Sequence, residues 1–184
     1  MMEEYIIGID IGGTLARAVV LESTTFEIKD QLTKASSDDG QELVQIIKSL
    51  FRKLEDNTKQ SFASLGLGIA GLAHKSGIVR YSPNLPSLVE FPIADEIKKE
   101  LGIPVVMGND ATVGTIAEWE IGAGKGSENF ALVTLGTGIG TGFVVNGHLL
   151  LGSNGFAGEA GHMTIDVNGP VHLTGQKEPW EYFA

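Results

Sequence analysis

Two short stretches of this sequence place backbone-donor chemistry at the end of an apolar run. Ile6 to Val20 reads "IIGIDIGGTLARAVV", and Ala131 to Gly142 reads "ALVTLGTGIGTG". Glycine is entropically costly to order, so glycines clustered at a strand end imply that the backbone itself must touch something. In the first turn, Gly12 and Gly13 carry no side chain to block a ligand, and their N–H groups could meet phosphate oxygens. The Thr14 hydroxyl adds a donor, and Asp10 is placed to hold Mg²⁺ through water, since magnesium takes a few carboxylates plus solvent. Arg17 lies on the return strand. Gly136, Thr137 and Gly138 offer the same donors in the second turn, and two such turns facing one cleft would clamp a polyphosphate. The competing explanation is a pair of tight hairpins in which glycine only supplies positive φ. Threonine at matching places in both turns, with aspartate in one, favours phosphate binding.

Further ionisable groups stand among small residues. Gly108-Asn109-Asp110-Ala111 falls between an apolar strand and a helix. Asp110 could take a proton from a hydroxyl nucleophile and Asn109 could orient it; a plain Asx cap explains the same residues. Gly158-Glu159-Ala160-Gly161-His162 is either a second polar site or an exposed loop with incidental charges. Two glycine motifs are decoys. Gly66 to Gly71 matches G-x-G-x-x-G, but a dinucleotide site needs a helix to start there, and Lys75-Ser76-Gly77 reads as a turn before an extended segment. Gly122 to Ser127 contains Lys125 but lacks P-loop spacing.

The elements that must position these residues alternate. Tyr5–Asp10 and Leu15–Glu22 read as strands, with a third over Phe26–Thr33. Leu43, Ile46, Ile47, Leu50, Phe51 and Leu54 have helical spacing after Asp38-Asp39. Strands follow at 63–70, 77–81 and 104–107, with helices at 93–101 and 111–121. Phe130–Leu135 and Gly142–Val145 open a second unit. Three strands followed by alternation give an α/β fold with a mixed sheet, and the repeated strand–glycine turn–strand gives two similar lobes. The expected division is 1–122 and 123–184, with the second lobe incomplete because only residues 128–184 remain for it.

The chain has 184 residues and a net charge of −10, with no basic run, which argues against a nucleic-acid surface. It has no cysteine, which excludes disulfides and thiolate metal sites and fits a reducing compartment. Met1-Met2-Glu3-Glu4 is acidic where a signal peptide would be basic, and no apolar run is long enough for a bilayer. A cytoplasmic protein without nucleic-acid or membrane partners is expected.

Taken together, "GIDIGGTLARAVVL", "GIVRYSPNLP", "VVMGNDA", "ALVTLGTGIGTGFVVNG" and "GSNGFAGEAGHMTID" resemble, in order and over nearly the whole chain, the ROK family of sugar kinases. The likeness is greatest to the bacterial glucokinases of that family, which phosphorylate the 6-hydroxyl of glucose with ATP and Mg²⁺. The resemblance implies an actin-like, ribonuclease H-like fold of duplicated lobes. It implies phosphate motifs at Asp10, Gly12, Gly13 and Thr14, and at Gly136, Thr137 and Gly138. It makes Asp110 the general base, Asn109 a ligand of sugar hydroxyls, and Glu159, His162 and Glu181 members of the sugar site, lined also by Asn84. A hexose and a second copy of the chain, as a homodimer, are the expected partners.

The chain departs from the family at a zinc loop. The usual C-x-C-G-x-x-G-C-x-E is "HLTGQKEPWE" here, so His172, Thr174 and Pro179 replace three cysteines and Glu178 replaces a glycine. No zinc is expected, since two histidines without thiolates make a poor structural site. Pro179 and Trp180 are expected to hold the loop by packing, leaving His162 to the sugar. Thr112 stands where asparagine is frequent. The family also continues for over a hundred residues, so the chain is expected to be part of a longer kinase. The function expected is hexose phosphorylation, glucose first, with fructose, mannose and N-acetylhexosamines as alternatives. A non-catalytic sugar sensor or a truncated remnant is the alternative of another class. Repressors of the family carry an N-terminal helix-turn-helix, and none is expected here, since the first strand is read to begin at Tyr5.

Overall fold

The computed structural model describes residues 5–136, 138–169, 171, 175 and 177–183. Cα packing divides the chain into two compact units, 1–110 and 111–184.

The first unit is built on a five-stranded mixed sheet in the order β3-β2-β1-β4-β7. β1 (Tyr5–Ile11) and β2 (Leu15–Glu22) form the glycine hairpin, antiparallel, and β4 (Leu65–Ile69) and β7 (Val105–Asn109) add parallel to β1. β3 (Ile28–Ala35) starts two residues later than the expected Phe26. The reason is local. Glu22 accepts from the backbone N–H groups of Thr24 and Thr25, and Phe26 takes a left-handed φ of 59°, so the chain is still turning there.

Helix α1 (Gly40–Thr58) is capped by Asp39, whose carboxylate accepts from Glu42 N–H at 2.8 Å. Its buried Leu43, Ile47, Leu50 and Leu54 recur at three- and four-residue intervals and meet Ile7, Ile9 and Ile11 in one core. Helix α2 (Ile93–Leu101) adds Ile93, Ile97 and Leu101 to that core and ends on Gly102 with φ 75°. A ribbon of β5 (Leu72–His74) and β6 (Ile78–Tyr81) follows β4 directly. No helix starts at Gly71, which disposes of the dinucleotide motif.

The second unit contains α3 (Asp110–Glu120) from Ala111 onward, and a three-stranded antiparallel sheet in the order β10-β9-β8. By its contacts α3, expected with the first lobe, groups with this sheet. β8 is Phe130–Leu135, β9 is Ile139–Val145 and β10 is His148–Leu149. β9 begins three residues before the expected Gly142. Its glycines hide the apolar alternation, and they have a packing role. A Cβ on Gly140 would lie 2.9 Å from Ala111 Cβ, and one on Gly142 would run into the Thr115 hydroxyl. Bare backbone at these two positions lets α3 lie close on β9. The Lys125 segment follows α3 and leads into β8, opposite to the strand–loop–helix order of a P-loop. No helix among the described residues is long and apolar enough to cross a membrane.

Candidate functional site

In the first unit the hairpin turn is closed by Gly12 N–H donating to Leu15 O at 2.9 Å, and Thr14 O is fixed by Ser36 N–H at 2.8 Å. Neither Gly12 nor Gly13 takes a positive φ. The simple hairpin explanation, in which glycine supplies left-handed backbone, therefore fails here. Gly12 is open: a Cβ would touch only Leu15 O, at 3.5 Å. Gly13 is required by close approach, because a Cβ would lie 2.8 Å from Asn84 O. This contact brings Asn84, from the loop after β6, directly against the glycine turn.

Asp10 faces away from the core of Ile7, Ile9 and Ile11, as strand alternation dictates. Its register partners are Arg17 on β2 and Gly68 on β4, and Gly68 in turn pairs with Gly108 on β7. Partial burial and the negative charge of Asp110 push the Asp10 carboxyl above its ordinary value, against the lowering pull of Arg17. Ile11, Ile69 and Asn109 align at the carboxyl ends of three parallel strands, the place where open α/β sheets bind ligands. Asn109 Nδ2 donates to Gly71 O at 2.9 Å, fixing the turn after β4, and Asp110 is the first residue of α3. The first unit thus gathers Asp10, Gly12, Gly13, Thr14, Asn84, Asn109 and Asp110 at one end of its sheet.

In the second unit Gly136 N–H donates to Gly138 O at 3.0 Å. Thr137 lies outside the described residues. Gly136 has no positive φ, and no atom of the described residues lies within 4 Å of where a Cβ would stand, so none of them asks for glycine there. Gly138 is held by a different constraint: a Cβ would lie 2.8 Å from Glu181 Oε2. His162 Nδ1 is 3.1 Å from Glu181 Oε1, and Nε2 is 3.7 Å from Glu159 Oε2. Glu159, His162 and Glu181 therefore converge beside the second glycine turn.

Sequence reasoning passed over the residues that position this group. Thr141, buried on β9, donates to Gly158 O and accepts from Ala160 N–H at 3.0 Å. Gly158, with φ 100°, and Gly161 lie flat on the β9 backbone, where a Cβ on Gly158 would be 2.7 Å from Thr141 O. The replaced loop is held by more than the packing expected of Pro179 and Trp180. Pro179 is buried, but backbone pairing carries the join: Thr164 bridges Pro179, Ile165 N–H donates to Glu178 O at 3.1 Å, and Trp180 N–H to Met163 O at 2.9 Å. His172 and Thr174 lie outside the described residues. Ser82, near Asn84, was also missed; its hydroxyl is buried with no partner among the described residues.

This α/β architecture, with its glycine hairpin repeated in a second sheet, is the actin-like fold of sugar kinases. The structure superposes on a ROK family glucokinase from Streptomyces griseus in complex with glucose and AMPPNP with a TM-score of 0.86. The two are 30% identical, covering 98% of this chain and 57% of that one. The ROK family profile matches residues 6–184, and the chain belongs to that family. It is 35% identical over 175 residues to a glucokinase of Halalkalibacterium halodurans, covering 92% of this chain and 52% of the relative. It is also 31% identical over 183 residues to the xylose repressor of Bacillus subtilis, covering 98% and 47%. The chain spans about half the length of the curated relatives it matches.

Proposed function

We propose that this chain carries the sugar and phosphate machinery of an ATP-dependent hexose kinase, converting glucose to glucose 6-phosphate. The observation that supports this most is the row Arg17–Asp10–Gly68–Gly108, which runs from the glycine hairpin to Asn109 and Asp110 at the carboxyl ends of the parallel strands. In this reading the N–H groups of Gly13 and Gly138, with Thr14 and Thr137, donate to phosphate oxygens, while Gly12 and Gly136, whose N–H groups close their turns, leave the approach to the backbone open. Asn109, Asn84, Glu159, His162 and Glu181 hold the sugar hydroxyls, and Asp110 accepts the proton of the attacking hydroxyl. Mg²⁺ suits Asp10: its carboxylate is half exposed, which leaves room for the water ligands magnesium keeps. Bound there, the ion would neutralise charge on the phosphate oxygens. Positioning and electrostatics provide most of the rate in such a transfer, so the residues need only hold and orient.

A coupled assay for ADP release, with ATP, Mg²⁺ and a panel of hexoses, tests this on the 184-residue chain and on any longer native product. Asp110→Asn should retain sugar binding and lose about a thousandfold in kcat. Near-normal turnover of that variant would remove Asp110 from the role. The likeness to the xylose repressor favours a second reading, a sugar-binding module without catalysis. Sugar binding with no hexose-dependent turnover in any form would select it.

A further inference from the structure

We propose that Arg17 is a phosphate-binding residue of the first hairpin, closing over the terminal phosphate oxygens from strand β2 while the Gly12–Thr14 backbone holds them from the turn. The proposal rests on the phosphate reading of that hairpin and adds to it a side chain with a defined role.

Three observations carry it. First, placement: Arg17 is three residues after Thr14 and directly opposite Asp10 in the β1–β2 register, so both side chains leave the same face of the sheet. Second, Arg17 is unused by the fold. Its side chain is 63% exposed, and its contact with Asp10 is a long 3.9 Å between two half-open groups. Such a pair contributes little to stability and leaves the guanidinium free to turn toward a better anion. Third, charge. Asp10 and Asp110 repel at this end of the sheet, and Arg17 is the cation that opposes them at Asp10. Residues in register on that face are otherwise neutral: Val19, Leu21, Gln31, Thr33, Gly66, Gly68, Val106 and Gly108. A polyphosphate approaching the hairpin meets two carboxylates and one guanidinium. Without the guanidinium, the backbone donors of one turn would have to hold a multiply charged anion beside like charge. Arginine presents a planar fork of donors that matches phosphate oxygens, and it stays charged at any working pH.

The test is titration of the ¹⁵N-labelled 184-residue chain with inorganic tripolyphosphate, followed by amide shifts and by the Arg17 Nε signal. The wild type should shift Gly12, Gly13, Thr14 and Arg17 Nε together. Arg17→Gln should keep the free-protein spectrum and the melting temperature, yet bind about tenfold more weakly, the size of one lost charge-assisted hydrogen bond. Arg17→Lys should recover part of that loss. Equal affinity of wild type and Arg17→Gln, with Gly12–Thr14 still shifting, would overturn the role of Arg17 and leave the hairpin reading standing. No shift at Gly12–Thr14 in the wild type would overturn both.

Discussion

The two units share a design, a strand entering a glycine turn and returning antiparallel, but they are held together by different means. In the first, every member of the main apolar cluster falls between Ile7 and Leu101, with Leu43, Ile47, Leu54, Leu65 and Ile69 fully buried. In the second, the buried apolar side chains among the described residues are Ala111, Ile139, Val144 and Pro179. Leu135, Met163, Ile165 and Val167 are more than half exposed there. The second unit takes its shape from backbone pairing, from glycines that allow close approach, and from the Thr115 and Thr141 hydroxyls. The first hairpin is thus mounted on a closed core, and the second on a hydrogen-bonded framework.

The sharpest test of that contrast is a pair of leucine truncations. Leu50→Ala removes a fully buried side chain from the α1–sheet core and should cost about 3 kcal/mol in urea unfolding. Leu135→Ala removes one that is 75% exposed and should cost under about 0.5 kcal/mol. A comparable loss at both sites would mean that Leu135 is buried in solution, and the contrast would break.

Glycine substitutions give effects of intermediate size and separate structural glycines from ligand-facing ones. Gly161→Ala places a methyl group against the Ile139 carbonyl, backbone on backbone, and should destabilise by about 2 kcal/mol and displace the Glu159–His162 segment. Gly136→Ala meets no atom of the described residues and needs no unusual φ, so it should leave the melting temperature within a degree or two of the parent. Its loss should appear only in phosphate binding. A melting temperature that fell as far for Gly136→Ala as for Gly161→Ala would assign that glycine to the fold.

Much of this arrangement was legible in the sequence because it is local. The α1 face shows in the spacing of Leu43, Ile47, Leu50 and Leu54, and the hairpins show in apolar runs broken by glycine. What stayed hidden depends on residues far apart in the chain. Asn109, read as a sugar ligand or a helix cap, also donates from its side-chain amide to Gly71 O, thirty-eight positions away. Gly140 and Gly142 stand in the glycine-rich stretch read as bare backbone for a ligand, but bare backbone at these two positions makes room for α3. Gly13 looked like a bare donor and also makes room for Asn84. In each case one residue type answers two demands, and only the partner's position tells which applies.

The smallest predicted effect is one of sign. The carboxyl of Glu22, in the first unit, is held down at about 2 chiefly by the Thr25 side-chain hydroxyl and the Thr25 backbone N–H, with Thr24 adding to them. A depressed folded value means stability that is present above the unfolded value of 4.5 and drains away as pH falls toward 2. Glu178, in the second unit, is buried against the segment containing Asp166, and both desolvation and Asp166 raise its value. A raised value means the opposite: stability present below the ordinary glutamate range and lost as pH rises through the folded value. Acid should therefore loosen the turn after β2 while tightening the join between 163–165 and 178–180. Amide hydrogen exchange between pH 3 and 7, corrected for the intrinsic rate, reads both regions in one experiment. Protection of Thr24 and Thr25 should fall at low pH, and protection of Ile165 and Trp180 should rise. Glu178→Gln should abolish the second trend and leave the first. If both regions lost protection together in acid, the carboxyl of Glu178 would be carrying its charge in the folded chain, and the two halves would differ in packing alone.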